Sequence, residues 1–297
     1  MKDSIYLHTN WGREKFIEVE EMIPCKKDSW DFFQSNDKDS KIQIFEDVFL
    51  PKHKEYSSEY IKIAFLKENP DIYAYSTIHS NPYYHPYEYV LDNISNFDYV
   101  ITAFKNLKPL IGEKKFIYCP VLGSRIEEKN YGIYDKSKLL SIIASQKDWT
   151  VGHRFRHWII QKYKNEIDVY GRGYNTTIDD YGKFGKIYAL APYYFSLAVM
   201  NTKQKGYFTE VLTDVIATGT IPIFYGDPDI SSYFNPNGII HFNSFSELDY
   251  IIKNLSKELY DSKIEAVKEN LEICKKYIND IDYLYGNYQE KFKKMLL

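Results

Sequence analysis

Short apolar runs alternate with polar segments along the chain, and the clearest example lies in its C-terminal half. Phe195–Met200 is apolar at every position except Ser196, a pattern typical of a strand buried on both faces. Residues 207–218 then place apolar side chains at helical spacing, and Gly219 ends this helix before the apolar strand Ile221–Tyr225. The pattern therefore predicts a βαβ unit.

A polar loop, Asn201–Gly206, connects the first strand of this unit to its helix. In open parallel sheets, ligands bind beyond the carboxyl ends of the strands. The N-terminus of a helix also favours anions, because its backbone amides point outwards. We therefore predict that this loop lies beside an anionic ligand, with a nucleotide diphosphate as the first candidate.

The rest of the chain shows the same alternation on both sides of a polar stretch, Ser124–Lys138. Before it, the pattern predicts strands at Ser4–Thr9, Ile42–Phe49, Tyr60–Leu66, Phe97–Ala103 and Phe116–Val121, a helix at Glu14–Met22, an irregular segment at Trp30–Asn36 and a loop at Asn81–Tyr89. After it, the pattern predicts strands at Leu139–Ser145 and Ile167–Gly171, and helices at Arg154–Tyr163, Asp179–Leu190, Phe245–Leu255 and Ser262–Leu297, the last broken near Ile281-Asp282.

Strands interleaved with helices indicate an α/β fold. We predict an N-terminal α/β domain at residues 1–130 and a second at 131–260. A helical tail at 261–297 is expected to pack back on these domains.

Composition narrows the class of protein. With 38 Lys and Arg against 41 Asp and Glu, the formal charge of −3 does not favour nucleic acid as a partner. The three cysteines lack the paired spacing of a zinc or disulfide framework, which indicates a reducing compartment. We find no signal peptide and no apolar run of about 18 residues that could span a membrane. We expect a cytoplasmic protein, with contact to the inner face of the membrane left open by the partly basic tail.

Glu68 is a candidate catalytic carboxylate. It directly follows the predicted strand Tyr60–Leu66 and precedes Asn69-Pro70, so it is held at a strand end. If it faces a cleft between the domains, it could take a proton from an attacking hydroxyl. The alternative is a glutamate in a solvated loop.

Gly152-His153-Arg154-Phe155-Arg156-His157 places two arginines at the start of a helix. Positive charge there opposes the helix dipole, and a bound anion would resolve the conflict because Arg can hold phosphate oxygens with two hydrogen bonds. A basic surface turn is the alternative. His153 and His157 stand four residues apart, but no carboxylate or cysteine completes a metal site.

Three further charged residues lie in the predicted loop or in the first part of the helix after it. Glu210 either complements the dipole of its helix or binds ribose hydroxyls. Lys203 and Lys205 are either solvent-facing or flank a phosphate group. Asp227 and Asp229 are predicted to be turn residues. Common motifs of kinases, dehydrogenases, serine hydrolases and metalloproteases are absent.

Taken together, these segments resemble the α-1,3/4-fucosyltransferases of glycosyltransferase family 10 and related bacterial or viral enzymes that build surface glycans. The resemblance is carried by FSLAVMN, KGYFTEVL, ATGTIPIFYG and FNPNGIIHF between residues 195 and 242. It extends upstream to Leu139, with weaker parallels at Asn10–Gly12, Phe65–Pro70 and Phe97-Asp98.

The resemblance implies a GT-B-like fold, with two Rossmann-like domains facing a cleft and a helical tail. It implies an inverting transfer of a sugar, fucose by default, from a GDP-sugar to a hydroxyl of an oligosaccharide or polysaccharide acceptor, with no obligatory cofactor or metal. The catalytic base would be Glu68, and Arg154 would bind phosphate. Further donor contacts are expected from Arg156, Asp168, Tyr170, Asn201, Lys203, Lys205, Tyr207 and Glu210.

The sequence departs from the family pattern at two positions. Met200 stands where the family has Glu, and Val211 stands where it has a Lys that meets the diphosphate. A lost charge-assisted phosphate contact costs about 1.5–3 kcal/mol. We expect Lys203, Lys205 or Arg156 to replace that charge. The alternatives are another GDP-sugar, such as a heptose or deoxyhexose, and a catalytically silent relative that binds a glycan or a partner.

Overall fold

The computed structural model describes residues 5–8, 39–75, 84–120, 123–174 and 185–296. The predicted helix Glu14–Met22 and the irregular segment Trp30–Asn36 lie outside the described residues, as does the segment Asn10–Gly12. The chain divides into two units, Met1–Val121 with Asn279–Leu297, and Leu122–Ile278.

The first unit is built on a five-stranded parallel sheet in the order β1-β2-β3-β4-β5. The strands are β1 (Ile5–His8), β2 (Ile42–Glu46), β3 (Ile61–Leu66), β4 (Tyr99–Thr102) and β5 (Phe116–Tyr118). Ile44 lies opposite Ile63, so the apolar runs come together at the centre of the sheet. Leu284 and Phe292 from the C-terminal helix complete this core.

The helices of the first unit are short except the last. They are α1 (Pro70–Tyr75), α2 (Pro86–Asp92), α3 (Lys108–Ile111) and, near the C-terminus, a helix at Asp280–Leu296. Single turns of 3-10 helix occur at Ile94–Asn96 and Lys105–Leu107, and a longer one at Asp47–Glu55.

Two predicted boundaries in this unit were wrong. The strand predicted to reach Phe49 ends at Glu46, because Asp47 has a φ of 35° and this left-handed backbone cannot continue a strand ladder. The loop predicted up to Tyr89 gives way to α2 at Pro86, because proline has a backbone angle that suits the first turn of a helix.

The second unit holds another five-stranded parallel sheet, with the order β10-β9-β8-β6-β7. Its strands are β6 (Lys138–Ile143), β7 (Asp168–Tyr170), β8 (Tyr193–Val199), β9 (Ile221–Tyr225) and β10 (Ile240–His241). The chain runs from β6 to β7 on one side and returns to β8 on the other. The order therefore reverses between β6 and β8, where a crevice at the carboxyl edge is expected.

Helices connect these strands, namely α4 (Val151–Lys162), α5 (Gly185–Leu190) and α6 (Glu210–Ala217). Further helices follow β10, namely α7 (Phe245–Lys253), α8 (Lys257–Asp261) and α9 (Ile264–Cys274). The C-terminal helix Asp280–Leu296 is α10. The predicted βαβ unit is confirmed as β8-α6-β9. No helix in the described ranges is both long and apolar enough to cross a membrane.

The limits of the two units differ from the predicted domains. The polar stretch Ser124–Lys138 belongs to the second unit, because its side chains are bonded inside it. Ser124 Oγ donates to Asp214 at 2.8 Å, and Lys136 Nζ donates to the carbonyl oxygens of Ala191 and Thr218, both at 2.8 Å. The helical tail is also divided, since α8 and α9 belong to the second unit and α10 to the first.

Candidate active site

Two loops meet at the carboxyl edge of the second sheet, where the strand order reverses. The backbone nitrogen of Gly152 in α4 donates to the carbonyl oxygen of Asn201 at 3.1 Å. A Cβ atom at position 152 would lie 1.9 Å from the carbonyl oxygen of Met200, so only glycine permits this approach. The start of α4 and the loop after β8 therefore form one local structure.

Arg156 joins α4 to the end of β8. Its side chain is only 7% exposed, and its Nε and Nη2 donate to the carbonyl oxygen of Val199 at 2.8 and 2.5 Å. Nη2 also donates to Oδ1 of Asn201 at 2.8 Å. Burial lowers the pKa of Arg156 to about 10, with the charge of Glu210 opposing the shift, so the group remains cationic at neutral pH.

The aromatic and acidic residues around Arg156 come from three elements. Tyr207 precedes α6 and is 2% exposed, Glu210 opens α6, and Tyr174 follows β7. All three influence the pKa of Arg156. The structure thus brings four predicted donor residues together, Arg156, Asn201, Tyr207 and Glu210. It adds Tyr174, which the sequence analysis missed although it follows a predicted strand end.

Arg154 has a different environment from Arg156. It is half-buried, and Nη1 donates to the carbonyl oxygen of Asp148 at 2.9 Å. The neighbouring histidines also bond within this region, His153 Nδ1 with Thr150 Oγ1 at 2.9 Å and His157 Nε2 with the carbonyl oxygen of Ser145 at 3.0 Å. Burial, followed by the charge of Arg156, lowers the pKa of His153 to about 3.

Asp227 is a second residue whose role the sequence analysis missed. Its side chain is fully buried, and Oδ2 accepts a hydrogen bond from the backbone nitrogen of Gly206 at 2.7 Å. Oδ1 accepts from the backbone of Asp229 at 2.8 Å, as the predicted turn requires. Gly206 has a φ of 83°, so the loop Asn201–Gly206 ends in a glycine conformation that Asp227 holds. The available signal was an aspartate two residues beyond the predicted strand Ile221–Tyr225.

The two predicted lysines differ in their contacts. Lys203 Nζ donates to Oδ1 of Asn243 and lies 5.4 Å from the ring centre of Tyr225. Lys205 is exposed and makes no hydrogen bond or ion pair with the part of the chain that the structure describes. Of these two side chains, Lys205 is the less constrained.

Asp168 and Tyr170 do not join the residues around Arg156. Asp168 opens β7 at the amino end of that strand, and its Oδ2 accepts from Tyr193 at 2.5 Å and Lys138 at 3.2 Å. The hydrogen bond from Tyr193 lowers the pKa of Asp168. The buried hydroxyl of Tyr170 lies 2.5 Å from that of Tyr193. These groups bond to one another within the second unit.

The two departures from the family pattern have different surroundings. Met200 is buried, and its Sδ lies 4.0 Å from Thr209 Oγ1. A Cβ added at Gly226 would come within 2.5 Å of Met200 Cγ, so the thioether packs against that glycine. Val211 is half-buried in the first turn of α6. Position 200 therefore suits an apolar side chain.

Glu68 lies in the first unit, directly beyond β3. It is exposed, and its carbonyl oxygen accepts a hydrogen bond from the Tyr87 hydroxyl at 2.6 Å. The next residue, Asn69, is buried and its Oδ1 accepts from the backbone of Asp71 at 3.0 Å. The backbone on both sides of this carboxylate is thus bonded to well-packed elements.

A buried carboxyl group, which the sequence analysis did not identify, lies near Glu68. Asp47 follows β2, and its Oδ1 accepts from the backbone nitrogen of Lys67 at 3.1 Å. Lys67 Nζ contacts Glu46 Oε1 at 3.3 Å and Asp280 Oδ2 at 2.5 Å. Burial would lower the pKa of Lys67, but these two carboxylates outweigh burial and raise it. Among the described residues, no group of three or more His, Cys, Asp or Glu side chains could hold a metal ion.

Comparison with known proteins finds a family model that matches most of the second unit. Residues 133–266 match the family model "Glycosyltransferase family 10 (fucosyltransferase) C-term". The alpha-(1,3)-fucosyltransferase FucT of Helicobacter pylori is 33% identical over 113 residues, which are 36% of this chain and 22% of that relative. The chain therefore matches about a fifth of the length of this curated relative.

Solved structures extend the likeness to most of the chain. A crystal structure of an alpha1,3-fucosyltransferase has a TM-score of 0.58 at 17% identity, covering 94% of this chain and 91% of that one. A structure of an alpha1,3-fucosyltransferase with GDP also scores 0.58, at 17% identity, covering 93% of this chain and 89% of that one.

These findings define the class of fold as that of the GT-B glycosyltransferases, so the predicted α/β, GT-B-like class is confirmed. Within that class, residues 133–266 match the family 10 model, and the predicted resemblance to this family is confirmed.

Proposed function

We propose that the chain is an inverting glycosyltransferase that moves a sugar, fucose in the first instance, from a GDP-sugar to a hydroxyl of a glycan acceptor. The observation that supports this most directly is the cluster of Arg156, Asn201, Tyr207 and Glu210 within the stretch that matches family 10. The cluster lies at the carboxyl edge of a parallel sheet, where the order of strands reverses, and such edges bind nucleotides in related folds.

In this proposal, the diphosphate lies beside the N-terminus of α6 and the charges at the start of α4. The first amides of a helix and a nearby Arg are both good phosphate donors. Arg156 keeps the end of β8 in place through Val199 and adds a positive charge. Arg154 is half-buried and is the phosphate ligand that the family resemblance implies. Glu210 accepts hydrogen bonds from the ribose hydroxyls.

We further propose that Lys205 supplies the charge that Val211 lacks. Arg156 is buried on the carbonyl oxygen of Val199, and Lys203 is bonded to Asn243. Lys205 is exposed, precedes Gly206 in the loop and is not held by a described residue. A lysine on a flexible stem can reach a developing phosphate charge without a dedicated hydrogen-bond geometry.

Glu68 is the proposed catalytic base. The acceptor hydroxyl transfers its proton to the Glu68 carboxylate while its oxygen bonds to the anomeric carbon. The bond from that carbon to the phosphate oxygen breaks, and GDP leaves with the electron pair. A single displacement of this kind inverts the anomeric configuration. Asp168 and Tyr170 have no direct part in this proposal, because their polar groups bond to Tyr193.

The donor is tested by thermal shift of the full chain with GDP, UDP and CMP. Stabilisation by GDP alone supports a GDP-sugar donor, because a ligand that binds the native state raises its melting temperature. GDP release from GDP-fucose, in wild type and in Glu68→Gln, then tests the enzyme. If GDP binds but GDP-fucose is not consumed, another GDP-sugar is the donor. If no nucleotide binds, the chain is a catalytically silent relative that binds a glycan or a partner. The replacement of the family's Lys by Val211 favours this alternative.

We also propose that the acceptor belongs to a surface polysaccharide, such as a capsule or lipopolysaccharide, and that transfer takes place in the cytoplasm. Lys293 and Lys294 in the last turn of α10 are cations that could meet the inner face of a membrane. Sedimentation of the protein with anionic vesicles tests this contact, and no binding at low salt would contradict it.

A further inference from the structure

Asp47 and Glu68 follow neighbouring strands of the first sheet. β2 and β3 pair in parallel, with Glu46 opposite Phe65, so both carboxyl groups lie just beyond the same edge. Asp47 is 8% exposed, whereas Glu68 is exposed. The two are linked through the backbone, because Oδ1 of Asp47 accepts a hydrogen bond at 3.1 Å from the amide of Lys67, the residue before Glu68.

The backbone of Asp47 is also held in place. Its carbonyl oxygen accepts a hydrogen bond from the Tyr84 hydroxyl at 2.7 Å. Its φ of 35° is unusual for a residue other than glycine, and such a conformation persists only where the surroundings impose it. The backbone of Asp47 is therefore fixed, and its carboxyl group could turn towards solvent only by losing the hydrogen bond from the Lys67 amide.

Charged and titratable groups face Asp47 from every adjoining element. They are Glu46 at the end of β2, Lys67 and Glu68 beyond β3, Tyr73 in α1 and Tyr84 before α2. Lys67 is the one cation among these described neighbours. Its ammonium group pairs with both Glu46 and Asp280 of α10. The neighbourhood of Asp47 is therefore negative overall.

The protonation of Asp47 follows from this environment. Burial, followed by the charges of Glu68 and Glu46, raises the pKa of Asp47 to about 7. The amide and the charge of Lys67 oppose the shift but are weaker. When two nearby carboxyl groups cannot both ionise, the one that is more buried keeps the proton.

We propose that Asp47 is a positioning residue for Glu68, and that the two carboxyl groups hold one proton, on Asp47, so that Glu68 bears the negative charge. The inference rests on the proposed function, in which Glu68 receives the proton of the acceptor hydroxyl. Asp47 keeps its own proton during the transfer and holds the amide of Lys67 through Oδ1. With Asp47 neutral, the negative charge lies on the exposed carboxylate of Glu68, which acts as the base.

The pairing is tested without any assay of activity. In the full chain with ¹³C-labelled Asp carboxyl groups, the signal of Asp47 is assigned by its loss in Asp47→Asn. We expect it to titrate near pH 7. Glu68→Gln removes the neighbouring charge and moves this titration lower by about 1 pH unit. The matched change Glu88→Gln, at an exposed position of α2, leaves it unmoved. The same midpoint in wild type and Glu68→Gln would overturn the proposal.

The positioning role is tested by GDP release from GDP-fucose with water as the acceptor, between pH 5 and 9. Asp47→Asn keeps a neutral side chain with an Oδ1 acceptor. We expect the kcat of Asp47→Asn at pH 6 to stay within about threefold of wild type. The inflection near pH 7 in the wild-type plot of kcat against pH should be absent from this variant. Asp47→Ala loses the acceptor, and kcat falls about tenfold with KM unchanged.

The proposal would be contradicted if Asp47→Asn kept the inflection near pH 7, or if its kcat fell as far as that of Asp47→Ala. Glu68→Gln separates this inference from the proposed function. If Glu68→Gln releases GDP as fast as wild type, Glu68 is not the base of the proposed function, and if wild type releases none, GDP-fucose is not its donor. The carbon titration then still decides whether Asp47 and Glu68 share a proton.

Discussion

Arg156 and Val199 are joined by two hydrogen bonds, since Nε and Nη2 of the guanidinium both donate to the carbonyl oxygen of Val199, at 2.8 and 2.5 Å. This contact ties α4 to the last residue of β8, at the edge where the strand order reverses. Nη2 also reaches Asn201, so one buried cation organises the loop of the proposed donor site.

We predict that Arg156→Lys destabilises the protein by about 2–4 kcal/mol, because Lys cannot reproduce the planar fork of a buried, hydrogen-bonded Arg. Urea unfolding of the full chain measures this. Arg154→Lys is the matched control, and we expect a change within about 0.5 kcal/mol, since Arg154 is half-buried and donates to the carbonyl oxygen of Asp148 near the surface. Equal losses in both variants would contradict the structural role of Arg156.

We predict that Lys205→Ala weakens GDP binding about tenfold, whereas Lys203→Ala changes it less than about twofold. A charge-assisted phosphate contact is worth about 1.5–3 kcal/mol. Of these two lysines, Lys203 already donates to Asn243, whereas Lys205 makes no hydrogen bond or ion pair with a residue that the structure describes. Isothermal titration of GDP measures both. A larger effect at Lys203 would show that its bond to Asn243 is exchanged for the phosphate and that the assignment to Lys205 is wrong.

Asp227→Asn should destabilise the protein by about 1–3 kcal/mol and weaken GDP binding. The variant keeps one acceptor but turns an amide group towards the backbone N–H of Gly206, which leaves a buried donor unsatisfied. Thermal unfolding and GDP titration measure the two effects. Asp229→Asn serves as control, because Asp229 bonds to Asp227 through its backbone nitrogen, which the substitution keeps. No change in either quantity would refute the role of Asp227 in holding the loop.

His153 gives the stability a defined pH dependence. Its pKa in the folded state is lowered to about 3 from an ordinary 6.5, so the unfolded chain binds the proton more readily. The contribution of the neutral ring is therefore present above pH 6.5 and is lost as the pH falls towards 3. We expect a loss on the order of 2–4 kcal/mol over this range. Unfolding at pH 7, 5.5 and 4 tests it, with His153→Asn expected to flatten the profile and His157→Asn to leave it unchanged.

The local pattern of apolar and polar residues was sufficient to predict the parts of the fold in which side-chain periodicity and burial agree. Phe195–Met200 and Ile221–Tyr225 read as buried strands because a central parallel strand is covered on both faces and has no polar alternation. The confirmed β8-α6-β9 unit, and the grouping of Asn201, Tyr207 and Glu210 around it, follow from that pattern and from the rule that parallel strands present their carboxyl ends together.

Contacts between residues distant in sequence could not be predicted in this way. Arg154 and Arg156 stand two residues apart at the start of one helix, and this pattern does not distinguish them as phosphate ligands. Only the packing of α4 against β8 buries Arg156 and leaves Arg154 half-buried. The family resemblance implied a donor contact for Asp168, but in the structure its carboxylate accepts hydrogen bonds from Tyr193 and Lys138.

The amino-acid sequence by itself determined the two α/β units, the sheet edge at which we propose that the nucleotide binds, and the likeness to family 10, because these depend on periodicity and on contiguous motifs. Only the tertiary structure decided that Asp47 lies buried beside the backbone of Glu68, that Asp227 holds Gly206, and that α10 returns to the first unit. The physical reason is that a carboxyl group acquires its protonation and its partners from the burial and charge that the folded neighbours impose.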